Sequence, residues 1–223
     1  MAKYVLKIST DTDKLSERSE EINVLQRRGE AQSIVSDLKD TLKDNVDVVA
    51  LAAPQLGHDD RIFCIKFSDG EIRTFVNPMI TKTEGMHLAR ETSPSLPGRT
   101  FITPRHDRIL AKYQKPNGYV EENKFEGVVA EVFEQMVNLL DGILLSDIGL
   151  EIDEDFDKAP EEIQTQIIEM WIDSLKKRNE ELQKEIQEDP ELKRIDDAIK
   201  FMAGVASGEI TLEKPEEIKE DKK

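Results

Sequence analysis

Val132-Phe-Glu-Gln-Met-Val-Asn-Leu-Leu-Asp-Gly-Ile-Leu144 is the stretch on which the fold turns. Taken with the residues just ahead of it, it predicts a helix from Gly127 to Leu140 with Val129, Val132, Phe133, Met136, Val137 and Leu140 on one wide apolar face. Asp141-Gly142 ends that helix, glycine being the residue that most readily takes the left-handed conformation past a last turn.

Working outward, Gly29 to Asn45 places Ile34, Val35, Leu38 and Leu42 at helical spacing with charges opposite, an ordinary amphipathic helix. Between the two helices lie β-rich runs: Val46–Ala53, Arg61–Phe67, Ile72–Thr83, and Arg108–Tyr113 joined through Lys115-Pro-Asn-Gly118 to Tyr119–Phe125. Pro-Asn-Gly is a strong hairpin signal, so the middle of the chain is strand-dominated and the class is α+β. After Ile143-Leu-Leu-Ser146 the composition changes at the acidic loop Glu151-Ile-Asp-Glu-Asp-Phe-Asp157. The expected organisation is therefore a domain over 1–150, an acidic helical extension over 151–208 and a charged, extended or disordered tail over 209–223 that contains Pro215. Within the extension, Pro160 and Asp189-Pro190 bracket a helix of about 29 residues, roughly 44 Å long. Its apolar residues are Ile163, Ile167, Trp171, Leu175, Leu182 and Ile186. A second helix, capped by Asp189, runs through Ile195, Ile199, Met202 and Val205 to Gly208.

Composition narrows the function classes. Net charge is −16, and residues 151–223 carry 23 Asp+Glu against 12 Lys+Arg. So negative a chain repels phosphate backbones and anionic lipid, which argues against nucleic-acid and membrane partners and for basic protein surfaces. Cys64, the single cysteine, sits in the apolar run Arg61-Ile-Phe-Cys-Ile-Lys-Phe67, where a small buried filler is expected rather than a reactive thiol. Neither a signal-peptide h-region nor an 18-residue apolar run is present, so the expectation is a cytoplasmic protein, or one in a particle assembled in the cytoplasm.

Three stretches in order, Leu51-Ala-Ala-Pro-Gln-Leu-Gly57, Glu91-Thr-Ser-Pro-Ser-Leu-Pro-Gly98 and Val132 to Leu144, together resemble the peptide deformylases, whose signatures read G-x-G-L-A-A-P-Q, E-G-C-L-S and H-E-x-x-H followed by L-x-G. The resemblance covers about residues 4–148. It implies a mixed or antiparallel sheet wrapped around the Gly127–Leu140 helix. It also implies a divalent metal, held by the cysteine and both histidines, that activates water against an N-formyl group while the glutamate moves the proton. Such chemistry needs three strong ligands around an open position.

Aligned from Leu140-Asp-Gly142, the histidine positions fall on Gln135 and Leu139, the general-base position on Met136 and the cysteine position on Ser93. An amide, a hydroxyl and an alkyl side chain are weak ligands or none, so neither a metal nor any other cofactor is expected. Pro94 stands where the family uses a backbone N–H toward the oxyanion, and proline has none; Gln55, matching the other donor, is retained, as is Glu91. Val48 and Ala50 replace two glycines of the first signature, putting side chains where a substrate backbone would approach. A register error does not restore the site, because His58, His87 and His106 include no i, i+4 pair.

The expectation drawn from this is a catalytically inactive, deformylase-like structural or adaptor subunit of a larger assembly, such as a virion or ribosome-associated component. Its partner, a protein or a second copy, would be met through the C-terminal helices, with Ile163, Ile167, Trp171, Leu175, Leu182 and Ile186 as interface. Two alternatives stand beside it. One is a divergent deformylase or amide hydrolase with a rebuilt site, for which Ser93, Glu91 and Gln135 are candidate groups. The other is a module that binds peptide N-termini by strand addition without catalysis.

Overall fold

The computed structural model of the chain describes residues 8–189. They divide between Ala159 and Pro160 into two compact units. In the first, α1 (Thr12–Leu15) and α2 (Arg28–Asp44) precede β1 (Ala50–Ala52), a 3-10 turn (Ala53–Leu56), β2 (Ile62–Lys66) and β3 (Ile72–Glu84). There follow β4 (His87–Ser93), β5 (Leu96–Arg105), β6 (Arg108–Gln114), β7 (Val120–Glu126), α3 (Val128–Leu140), α4 (Leu145–Ile148), β8 (Leu150–Ile152) and α5 (Glu154–Lys158). The second unit is described through α6 (Glu161–Glu188). The fold is α+β, with two sheets in the orders β1-β2-β3-β6-β7 and β4-β5-β8, and every strand pair in them is antiparallel.

The apolar run around Cys64 is continuous because β2 is covered on both faces. Phe63 and Ile65 point into one core, with Phe75, Tyr113 and the α3 residues Ala130, Phe133, Met136, Val137 and Leu140. Ile62 and Cys64 point into the other, with Ile34, Val35, Leu38 and Leu42 of α2. Phe133 meets Phe63 edge-on at 4.9 Å and Phe75 at 5.2 Å, so α3 is anchored by aromatic contacts rather than by its ends. Cys64 is buried, its Sγ 3.4 Å from Thr74 Oγ1, and desolvation pushes the thiol up to about 11, the state of an inert filler.

Helix α3 stops through two hydrogen bonds, Ile143 N to Asn138 O and Gly142 N to Leu139 O. Gly142 has φ 76, and a Cβ there would lie 2.3 Å from Ser16 O, so glycine is required both by conformation and by the close approach of the N-terminal segment. The Pro-Asn-Gly hairpin forms as expected, with Gly118 N donating to Lys115 O and Lys115 N to Tyr119 O.

Three expectations need adjustment. The run Val46–Ala53 yields only Ala50–Ala52 as strand, because Val48 N donates back to Asn45 O and Pro54 opens a 3-10 turn. The β4–β5 hairpin carries no clean apolar alternation, since its inward positions include Glu91, Thr103 and Arg105, and it is not legible as strand from pattern. The buried side of α3 takes in Ala130, Glu134 and Leu139, whereas Val129 and Val132 are only half-buried. The helix expected from Asp189 and the tail over 209–223 lie outside the described residues. Among the described residues no helix is long and apolar enough to cross a membrane.

Candidate active site

The three positions singled out by spacing do converge. Gln135 and Leu139, one turn apart on α3, and Ser93, at the end of β4, line one cavity together with Met136. Its volume is about 20 Å³, room for roughly one water molecule. Gln135 Nε2 donates to Thr92 O at 2.9 Å and so ties α3 to β4. Met136 and Leu139 are 3% and 6% exposed and belong to the main core with Phe133 and Leu144. Ser93 Oγ accepts from Ser95 N at 3.3 Å across the tight β4–β5 turn that holds Pro94.

Around the cavity is a rigid polar frame. Gln55, 0% exposed, accepts from Ala52 N at 2.9 Å through Oε1 and donates from Nε2 to Ser95 Oγ at 2.9 Å. It therefore joins the 3-10 turn after β1 to the β4–β5 turn. Glu91 receives Arg105 through Nε at 3.1 and 3.0 Å and through Nη2 at 2.8 Å, and it also accepts from Thr103 Oγ1. Arg105 Nη1 reaches Asn138 Oδ1 on α3 at 2.6 Å. A buried pair with its remaining donors and acceptors filled resists movement, because each broken bond would strand a polar group away from water. Sequence reasoning singled out Gln55 and Glu91 but missed Ser95, Arg105 and Asn138. No local signal marked them: Glu91 is in line with Ala89 and Arg105 with Phe101 and Thr103, an inward placement that shows only once the strands are paired.

Beside the cavity runs an open groove of about 360 Å³, bordered by Val48, Val49, Ala50, Ser93, Pro94, Gly98, Arg99 and Gln135. Lys66 N donates to Val49 O, so antiparallel alternation pairs Leu51 with Cys64 and turns the N–H and C=O of Ala50 away from β2. The same alternation turns Ala52 N outward, where Gln55 takes it. Val48, Ala50 and Pro94, the residues expected to narrow the groove, all border it, and Ala50 also packs into the α3 core and Val48 against the α2 core. What faces outward between them is Val49, 52% exposed.

The histidines are engaged elsewhere. His87 bridges Asp107 (2.8 Å) and Glu131 (3.0 Å); His106 Nδ1 meets Glu134 at 2.6 Å; His58 Nε2 lies 3.3 Å from Asp37 without hydrogen-bond geometry. The hydrogen bond to Glu131, then that to Asp107, raises the His87 pKa above its ordinary value. On α6, Ile163, Ile167 and Leu182 are exposed while Trp171, Leu175 and Ile186 are half-buried, so the six do not form one uniformly exposed stripe.

This fold is matched among known proteins. The sequence profile of the Polypeptide deformylase family matches residues 5–152. The chain belongs to the peptide deformylase family. Similar deformylases include those of Dictyoglomus turgidum, 34% identical over 120 residues (54% of this chain, 77% of that protein), and Thermodesulfovibrio yellowstonii, 31% identical over 147 residues (64% and 88%). The crystal structure of the Thermotoga maritima peptide deformylase matches with a TM-score of 0.60 at 26% identity, covering 66% of this chain and 98% of that one. That of Synechococcus elongatus, solved in complex with actinonin, matches at 0.61 and 22%, covering 67% and 81%.

Membership of this deformylase family corrects the functional expectation. The relatives are named as enzymes and some are solved with inhibitors, and nothing among them points to a silent structural or adaptor subunit, a virion component or a ribosome-associated one. The loss of one cofactor's ligands does not stand for the whole reaction, since Ser93, Pro94 and Gln135 still border an open groove and the frame beside it is intact.

The divalent metal that deformylases imply does not fit the residues present. The three positions that motif spacing assigns to its ligands offer a hydroxyl, an amide whose Nε2 donates to Thr92 O, and an alkyl chain. Among the described residues no three of His, Cys, Asp and Glu stand where they could hold an ion.

Proposed function

We propose that the chain takes the N-terminal stretch of an acylated peptide into the groove beside β1 and hydrolyses its terminal amide, as a divergent deformylase or amide hydrolase with a rebuilt site. One observation carries the reading: an unpaired strand edge at Ala50 borders an open groove whose inner end is Ser93 and Gln135, held by the Gln55–Ser95 and Glu91–Arg105 links. An extended peptide added at such an edge gains main-chain hydrogen bonds whatever its sequence, and pockets beside the edge select side chains. The polar side chains nearest the bound amide would be Ser93 and Gln135, with Gln55 positioning the turn that carries them. A cytoplasmic setting, where new peptide chains acquire their N-terminal ends, is part of the same proposal.

The test is a pair of measurements on the full chain with formyl-Met and free Met tripeptides: calorimetric titration and release of formate. The reading expects saturable binding that prefers the formylated peptide, together with formate release above a boiled control. Flat isotherms would remove the groove assignment, and binding without formate would remove the hydrolase assignment.

A further inference from the structure

We propose that the family's metal position has become a cation-free joint between α3 and β4 at the inner end of the groove, while the backbone around it still has the shape of a metal site. The inference rests on family membership and not on hydrolysis.

Two observations support the first half. A cation needs several lone pairs converging on one point and space for itself and a water. Here Leu139 is an alkyl side chain in the main core beside Met136, and Gln135, whose Nε2 donates to Thr92 O, has only a neutral amide oxygen to offer, a weak ligand. The cavity they share with Ser93 has about 20 Å³ and the groove that Ser93, Gln135 and Met136 also border about 360 Å³, so ligand chemistry and not space excludes the ion. Apolar residues in these places also remove the buried polar groups that an emptied site would leave unpaired.

The second half follows from the frame. Gln135 and Leu139 are i and i+4 on one helix, the spacing that puts two side chains on the same face, and Ser93 lies across the same cavity. Positions i and i+4 plus a residue from a facing turn make a three-ligand site as soon as the side chains are ligands. The frame that fixes them, Gln55 to Ser95 and Arg105 to both Glu91 and Asn138, contains none of the three positions and survives their substitution.

The experiment measures metal content and not turnover. The full chain is purified without chelator, exposed to Zn²⁺, Ni²⁺ and Co²⁺ in turn, desalted and examined by elemental analysis. The triple variant Ser93→Cys, Gln135→His, Leu139→His is treated in parallel, with folding checked by circular dichroism. The expected result is below about 0.1 ion per natural chain and about one per variant chain, with Co²⁺ giving the visible absorption of a thiolate-bound tetrahedral site. One tightly held ion per natural chain that is lost in Gln135→Ala would overturn the inference. A folded variant that takes up no ion would overturn its second half, and if the variant does not fold, Ser93→Cys, Gln135→His alone must raise Co²⁺ retention at least tenfold over the natural chain. Formate release by a metal-free natural chain sustains both this inference and the hydrolase proposal. Release only by a metal-loaded natural chain sustains the proposal and defeats the inference.

Discussion

Arg105 Nη2 lies 2.8 Å from Glu91 Oε2, with both side chains almost fully removed from solvent, and the pair welds the β4–β5 hairpin to α3 through Asn138. Removing one member strands the other charge in the interior, so Arg105→Met should destabilise the fold by about 3–5 kcal/mol. Urea unfolding measures this, and the double variant Glu91→Leu, Arg105→Met should recover part of the loss. An Arg105→Met protein as stable as the parent would mean that water reaches the pair.

Neighbouring positions on α3 should respond very differently. Leu139→Ala empties a place in the main core and should cost about 2–5 kcal/mol, because the surrounding side chains close the cavity only in part. Gln135→Ala gives up one hydrogen bond near the surface and should cost only about 0.5–1.5 kcal/mol. Equal losses at the two sites, measured by thermal and urea melts, would contradict the packing described.

The clip formed by His87 with Glu131 and Asp107 makes a pH prediction of fixed sign. Because the hydrogen bonds raise the folded-state pKa, the stabilisation is fully present below the ordinary histidine value of about 6.5 and disappears as pH rises through the raised value. The imidazole is a third exposed, so the effect should be small. Proton NMR of the His87 ring should show the upward shift. The melting temperature of the natural chain should fall relative to His87→Asn as pH passes from 6 to 9; parallel curves would reject the clip.

Ala50→Pro tests the groove assignment. Proline removes the Ala50 N–H that points away from β2, while the ladder bonds at Val49 and Leu51 remain, as is tolerated on an edge strand. Binding of formyl-Met tripeptide to the folded variant should weaken about three- to tenfold, the worth of one hydrogen bond, while the ring added at this buried position lowers the melting temperature. Undiminished affinity in a folded variant would show that peptides do not add at β1.

Legibility varied with how local the cause was. The α3 face, the α2 face and the Pro-Asn-Gly hairpin were readable because their signals lie within a few residues: apolar periodicity for the helices, turn geometry for the hairpin. The positions Ser93, Gln135 and Leu139 were readable as a set because motif spacing survives a change of side chain. The β4–β5 hairpin was not, because Glu91 and Arg105 satisfy one another only when the strands are paired, and an inward charge on either strand alone looks like an outward one.

By itself, then, the sequence determined the family and the α+β class, since these depend on order and spacing along the chain. Only the tertiary structure decided that Ala50 packs into the α3 core and Val48 against the α2 core at the border of an open groove, that Gln135 is bound to Thr92, and that Arg105 and Asn138 complete the frame. The physical reason is direction: spacing says which residues meet, whereas strand register and helix rotation decide which way each side chain and peptide group points when they do.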